Sequence, residues 1–427
     1  MSIIKVDVVF DRRVQFLDCI TAVAAIIWPI GSLPLILFGI GRDRKVSIVL
    51  FAMVLSFTSM YYIPCGDQYR FWEIYHEFPD IDWELFWSQP LHYLSLVYPI
   101  MYVLKSIGAS FEFIRALFVF VCFMAYWSVG FLAYHNETVN RQQKHQLMST
   151  LIILACIPFV QICCGWRYGI AICLLIKGTW SFYIEGKISH AILWIVLATA
   201  FHFSICVFIP IVFLLTNKQF LHMKILILAI SSLFISYFVG EHVANRLAGA
   251  DESFSYLSTY VEEGGEWRIG KSAEWSGLHL MAARMLPVSK VALMGLFLWG
   301  YRRCCKGKDV RHEVIRWLNL GIVLSVSYFC FCEFAAIQKR IEAIWLMHFG
   351  VSVLLLWGMK VFPVRIVRVV VCMTSVLFFA EFAVWLKPCL IGDIRNAIFA
   401  TSYEMLCQTY DESFVFSNID ETGNWNL

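Results

Sequence analysis

Four ionisable residues stand where an apolar chain tolerates charge least. Asp67 follows an apolar run in Cys65-Gly66-Asp67-Gln68-Tyr69-Arg70, and Arg167 separates two such runs in Gly165-Trp166-Arg167-Tyr168-Gly169. His202 lies inside a third, in Ala200-Phe201-His202-Phe203-Ser204, and Arg340 opens a fourth, in Gln338-Lys339-Arg340-Ile341-Glu342. A charge in or beside a membrane-length segment costs about 3 kcal/mol of insertion energy, which marks it as a functional candidate. Two guanidiniums, a carboxylate and an imidazole converging on one watery face would form an anion-handling site. The planar, permanently charged guanidinium matches phosphate oxygens and neutralises a diphosphate without a metal. Plainer roles stand beside these. Arg340 could snorkel at a helix end or pair with Glu342 or Glu333. Arg167 could be structural, His202 a satisfied buried histidine, and Asp67 a cap or a partner for Arg70.

Aromatic residues accompany the acids. Segment 65–90 holds Tyr69, Phe71, Trp72, Tyr75, Trp83, Phe86 and Trp87, and loop 241–285 adds Phe254, Tyr256, Tyr260, Trp267 and Trp275. Flat rings beside carboxylates suit carbohydrate, because apolar sugar faces stack while hydroxyls need acceptors. Tyr75, Trp166, Tyr168 and Trp267 are the candidate sugar contacts; an interfacial aromatic belt is the competing account, above all for segment 65–90.

The elements that must position these residues are membrane helices. Of 427 residues, 60% are apolar and 15% charged, against about 45–50% and about 25% in ordinary soluble domains. With a mean hydropathy of +0.69, the chain reads as an all-α, polytopic integral membrane protein. A net charge of +3 gives no reason to expect nucleic acid. The fifteen cysteines fall mostly in apolar runs, with no CxxC pair and no metal-type Cys/His spacing, so neither metal nor cofactor is expected. The first apolar run is long enough to span, so no cleavable signal peptide is expected.

Candidate spans cover roughly 19–40, 46–64, 113–134, 148–165, 168–184, 225–240, 286–301, 316–332, 341–360 and 366–386. Lys and Arg mark cytoplasmic loops. They crowd 302–316, 360–368, Arg42 to Lys45 and Arg141 to Lys144. The acidic set lies opposite. Segment 65–90 has six acids and one Arg, loop 241–285 seven acids and four bases, and tail 388–427 six acids and one Arg. The two sets alternate only if 91–106 and 188–215 each enter and leave by one side. His202 would then sit at the turn between two half-helices, a break tolerated only where it is buried or lines a watery cavity. The expectation is one integral domain, 1–427, with about ten full spans and both termini outside, although Arg12 and Arg13 pull against that last placement. Segment 65–112 would carry an interfacial or re-entrant helix on the outer face, with 241–285 a large periplasmic loop and 388–427 an acidic periplasmic tail.

From about residue 60 to 215, with an echo at 337–347, the chain resembles the EpsG/Wzy-type polysaccharide polymerases. Cys65-Gly66-Asp67 keeps the Asp of a Gly-Thr-Asp-x-x-x-Tyr pattern and Tyr75 its second Tyr, while Phe71 replaces the first. Gly165-Trp166-Arg167-Tyr168 with Ala171 keeps the Gly, Arg and Ala of Asn-Gly-x-Arg-Gln followed by Ala. Phe201-His202-Phe203-Ser204 matches Phe-His-x-Ser, Glu185-Gly186-Lys187 a short basic turn, and Lys339-Arg340 the Arg opening a late helix. Where the family often has an acid before Gly-Tyr or Gly-Phe, this chain reads Gln89-Pro90-Leu91-His92.

The resemblance implies a GT-C-like membrane glycosyltransferase of the bacterial inner membrane with its active site facing the periplasm. It would join undecaprenyl-diphosphate-linked oligosaccharide repeats into O-antigen, capsule or exopolysaccharide, alongside a flippase and a chain-length regulator. Arg167 and Arg340 would hold the diphosphate, and one of His202 and Asp67 would be the general base. An O-antigen ligase, a flippase or other transporter of lipid-linked sugars, and a membrane O-acetyltransferase are the alternatives.

Overall fold

The computed structural model describes residues 12–62, 64, 67–78, 84, 95–138, 146–209, 212, 277–306, 311–331, 335–381 and 394–406. Their regular structure is helical, with no strand among the described residues. The run at 19–40 is not one span. Helix α1 (Arg12–Ile27) ends before Trp28-Pro29-Ile30-Gly31-Ser32, and α2 (Leu33–Gly41) restarts with Pro34 in its first turn, where a missing N–H is harmless. The chain doubles back there, because Asp18 in α1 forms a 2.9 Å ion pair with Arg44 just beyond α2. Asp18 of α1 and Arg44 therefore lie at one level of the bundle, while residues 1–11 lie outside the described residues. Helix α3 (Lys45–Ser59) returns toward the other end.

Helix α4 (Asp67–Glu77) precedes α5 (Val97–Ser106), whose 10 residues reach roughly 15 Å, too short to cross a bilayer. Lys105 in the last turn of α5 donates to the Tyr75 and Phe78 carbonyls at 2.7 and 3.1 Å, capping the C-terminal end of α4. Gly108, at φ 82°, makes the turn into α6 (Phe111–Thr138), which packs against α3. The run at 148–165 is again two helices, α7 (Gln146–Ala155) and α8 (Phe159–Cys164), parted at Pro158.

Helix α9 (Trp166–Tyr183) and α10 (Ile188–Phe201) form a tight antiparallel hairpin through Gly186 at φ 68°. At His202 the chain reverses into a 3-10 turn, Phe203–Val207. By Val212 it is back at the far end of α9, where its carbonyl accepts the Tyr183 hydroxyl. Ile188 and Val212 thus both lie toward the Tyr183 end, with His202 at the opposite tip, and residues 213–218, which complete and flank the 188–215 stretch, lie outside the described residues. The start of α5 meets that tip through Leu96 N to the Ala200 carbonyl (2.9 Å) and Ser95 Oγ to the Phe201 carbonyl (2.7 Å).

Four longer helices follow: α11 (Gly277–Cys305), α12 (His312–Cys330), α13 (Ala335–Gly358) and α14 (Val364–Glu381). Among the described residues, segments 111–133, 312–330 and 337–358 are long and apolar enough to cross a membrane by themselves. The apolar stretch of α13 is wholly covered by other helices. Its polar contacts stay inside the protein, as an apolar surrounding demands. Met347 O accepts from Tyr126 (2.8 Å), Trp345 donates to Ser325 (2.7 Å), and His348 Nε2 bonds the Trp317 carbonyl (2.9 Å). Lys290 of α11 bridges Glu342 of α13 and Glu381 of α14, the latter at 3.4 Å. Short helices α15 (Ile394–Phe399) and α16 (Ser402–Leu406) lie on Trp28, whose indole donates to the Ile398 carbonyl at 2.7 Å. Thr401 and Glu404 cap α16, and the two Thr401 bonds hold the Glu404 carboxyl below its usual pKa. The 225–240 run, loop residues 241–276 and the chain beyond 406 lie outside the described residues.

Two outcomes are expected. A reporter fused ahead of Arg12 and a cysteine label at position 43 should report the same membrane face; opposite faces would contradict the α1–α2 hairpin. At Gly350 an added Cβ would sit 2.5 Å from Tyr126 Oη and 2.8 Å from Cys156 Cβ. Gly350→Ala should therefore lower stability by about 1–3 kcal/mol, read as a lower melting temperature in detergent.

Candidate active site

The site is built at the N-terminal turn of α9. Trp166, 0% exposed, is boxed edge-to-face by Phe71 (5.7 Å), Phe111 (5.2 Å) and Phe118 (5.0 Å), tying α9 to α4 and α6. That box aims the next residue. The Arg167 guanidinium carbon lies over the Phe71 ring, 5.5 Å from its centroid, a cation–π contact that helps to hold it there. Tyr168 then does three things at once. Its hydroxyl donates to the Arg340 carbonyl at 2.8 Å, its ring meets the His202 ring edge-on at 5.1 Å, and the Arg340 guanidinium lies over it at 5.7 Å. A second bond, from Gln161 Nε2 to the Lys339 carbonyl at 2.9 Å, fastens α8 to the same turn of α13.

His202 is 7% exposed, and both guanidinium charges bear on its ring. Nδ1 is held by Ser204, whose backbone N lies at 3.3 Å and Oγ at 2.7 Å. Nε2 is buried without a hydrogen-bond partner, as are Arg167 Nε and Trp166 Nε1. A buried polar group left unpaired costs about 1–3 kcal/mol. The His202 ring, with both guanidinium charges bearing on it and Nε2 unpaired, marks where an acceptor-rich, anionic group would be stabilised. The N-terminus of α9, an 18-residue helix beginning at Trp166, adds its positive dipole end.

Arg167, Tyr168, His202 and Arg340 thus meet, although 173 positions of sequence part the first from the last. Asp67 opens α4 one turn before Phe71, beside the same aromatic box; its side chain lies outside the described residues. Trp166 is part of the buried packing. Tyr75 lies a layer away, its hydroxyl given to the Ala109 carbonyl at 2.5 Å and its ring against Phe111. Trp267 lies outside the described residues.

Arg115 is the residue that sequence reasoning missed. On α6, between Phe111 and Phe118, it is 0% exposed and donates to Gln68 Oε1 (3.1 Å) and the Met60 carbonyl (3.4 Å). The signal was present in Phe113-Ile114-Arg115-Ala116-Leu117, an arginine within an apolar helix, the same criterion that picked out Arg167.

No curated protein matches the chain, and no solved structure does. A family model does, along most of its length. The match to the EpsG family runs over residues 52–391, taking in the α4 turn, the α9–α10 hairpin and the Arg340 turn, and the chain belongs to that family.

Proposed function

We propose that this protein is a membrane glycosyltransferase that polymerises lipid-linked oligosaccharide repeats, a reading supported by its EpsG family membership. The observation that carries it is the meeting of His202 and Arg340 at Tyr168, with the Arg167 charge bearing on the same imidazole and its Nε2 left for an anionic acceptor. The donor would be a growing chain on undecaprenyl diphosphate and the acceptor a sugar hydroxyl of a new repeat. The acceptor oxygen forms a bond to the anomeric carbon. The bond from that carbon to the diphosphate oxygen breaks and leaves its electron pair on the diphosphate. The acceptor proton passes to a base, His202 or Asp67. Arg167 and Arg340 stabilise the leaving charge, and Tyr168 and Trp267 are the candidate sugar-side residues. The setting is the periplasmic face of a bacterial inner membrane, in a GT-C-like helical bundle working with a flippase and a chain-length regulator.

The polysaccharide ladder on a gel tests this. Loss of the gene should leave lipid core capped by a single repeat, and Arg167→Ala should do the same at normal protein level, with about 10²–10³-fold less polymer. A core without any repeat would point to a ligase, and a full ladder would remove Arg167 from the site. Arg340→Lys should also fail, because a point charge does not reproduce a bidentate fork. Activity should persist in excess EDTA; loss restored by Mg²⁺ or Mn²⁺ would contradict a site that handles the diphosphate with arginines alone.

A further inference from the structure

The two bonds at His202 decide which of its nitrogens can do chemistry. His202 is the N-cap of the 3-10 turn Phe203–Val207, and its imidazole takes the capping place that a Ser or Asp oxygen usually fills. The Ser204 backbone N–H, 3.3 Å from Nδ1, can only donate, so Nδ1 must present a lone pair. The Ser204 hydroxyl stands 2.7 Å from the same atom and can donate to that lone pair as well. A neutral imidazole carries one proton, which leaves it on Nε2. That atom is buried, has no partner, and lies within the influence of Arg167 and Arg340.

We infer that Ser204 is a positioning residue that locks His202 in the Nε2–H form, so that His202 is a hydrogen-bond donor to the diphosphate rather than the base. This rests on the polymerase reading and sharpens it. His202 joins the arginines as a third donor to the leaving group. The acceptor proton then goes to a carboxylate, with Asp67 the candidate that the sequence supplies. No proton is gained or lost at His202 during turnover; its N–H bond lengthens toward the phosphoryl oxygen and recovers when the product leaves.

Amide substitutions separate donor from base. A glutamine places its amide nitrogen close to imidazole Nε2, whereas asparagine reaches only to Nδ1, and neither amide accepts a proton. His202→Ala and His202→Asn should lose about 10²–10³-fold of polymer. His202→Gln should recover part of that loss, to within about tenfold of the parent. A His202→Gln protein present at normal level but as inactive as His202→Ala would overturn the donor role. Ser204→Ala keeps the backbone N–H but loses the hydroxyl, so polymer should fall several-fold, with Ser204→Thr restoring it.

A nitrogen-15 spectrum of histidine-labelled protein gives the second measurement, with the His202 signals assigned by their absence in His202→Gln. Nδ1 should be unprotonated and Nε2 should carry the proton; the reverse tautomer, or an imidazolium, would refute the lock directly. The polymerase reading fails separately, if Arg167→Ala and His202→Ala both leave the ladder intact. The nitrogen spectrum would then still decide the tautomer.

Discussion

The site depends on one contact, the hydrogen bond from the Tyr168 hydroxyl to the Arg340 backbone carbonyl. It joins α9 to α13 at the point where both arginines leave their helices, and it holds the Tyr168 ring where His202 and Arg340 meet it. Because the acceptor is a carbonyl, the link does not depend on which side chain stands at position 340. The close approach of α8 and α9 supports it: a Cβ at Gly169 would lie 3.0 Å from the Ile162 side chain, so the hairpin of helices sits tight under Tyr168. With Gln161 bonded to Lys339, two neighbouring carbonyls of α13 are gripped from one direction. Donors fixed in this way need little reorganisation when charge develops on a leaving group.

Such precision needs a rigid α13, and the bundle supplies it by enclosing the helix. Its polar side chains find partners within the protein: Ser352 accepts the Trp317 indole N–H at 3.0 Å, and Glu342 is taken by Lys290. Glu342, two positions after Arg340, therefore serves an inter-helix ion cluster with Glu381. Positions two apart on a helix face away from each other, so α13 is anchored on one side by charge and carries the site on another.

Much of this was legible in the sequence for a single physical reason: charge is conspicuous where lipid makes it expensive. That criterion alone isolated Arg167, His202 and Arg340, and the reversal at His202 is seen in the 3-10 turn that follows it. It failed where its window was drawn too coarsely. Arg115 fell at the edge of a run and was passed over. Hydropathy averaged over a span also cannot see a reversal flanked by apolar residues on both sides, so Trp28-Pro29-Ile30-Gly31-Ser32 and Pro158 were absorbed into single spans. Their prolines and glycine were the available signal. The burial of Trp166 was not readable, because its box is assembled from α4, α6 and α9. Nor was the His202 tautomer, which is set by a backbone N–H two residues on.

The ring box beneath Arg167 bears on a different duty, insulation. In the proposed setting the membrane stores a voltage and a proton gradient, so a polar, cationic site open to one side of it would have to be closed on the other. Trp166, Phe71, Phe111 and Phe118 meet edge to face at 5.0–5.7 Å around the indole and form an apolar layer beneath Arg167, with the Arg115–Gln68 pair buried beside it. In that setting the same rings that lie under the arginine would also restrict leakage through the proposed site.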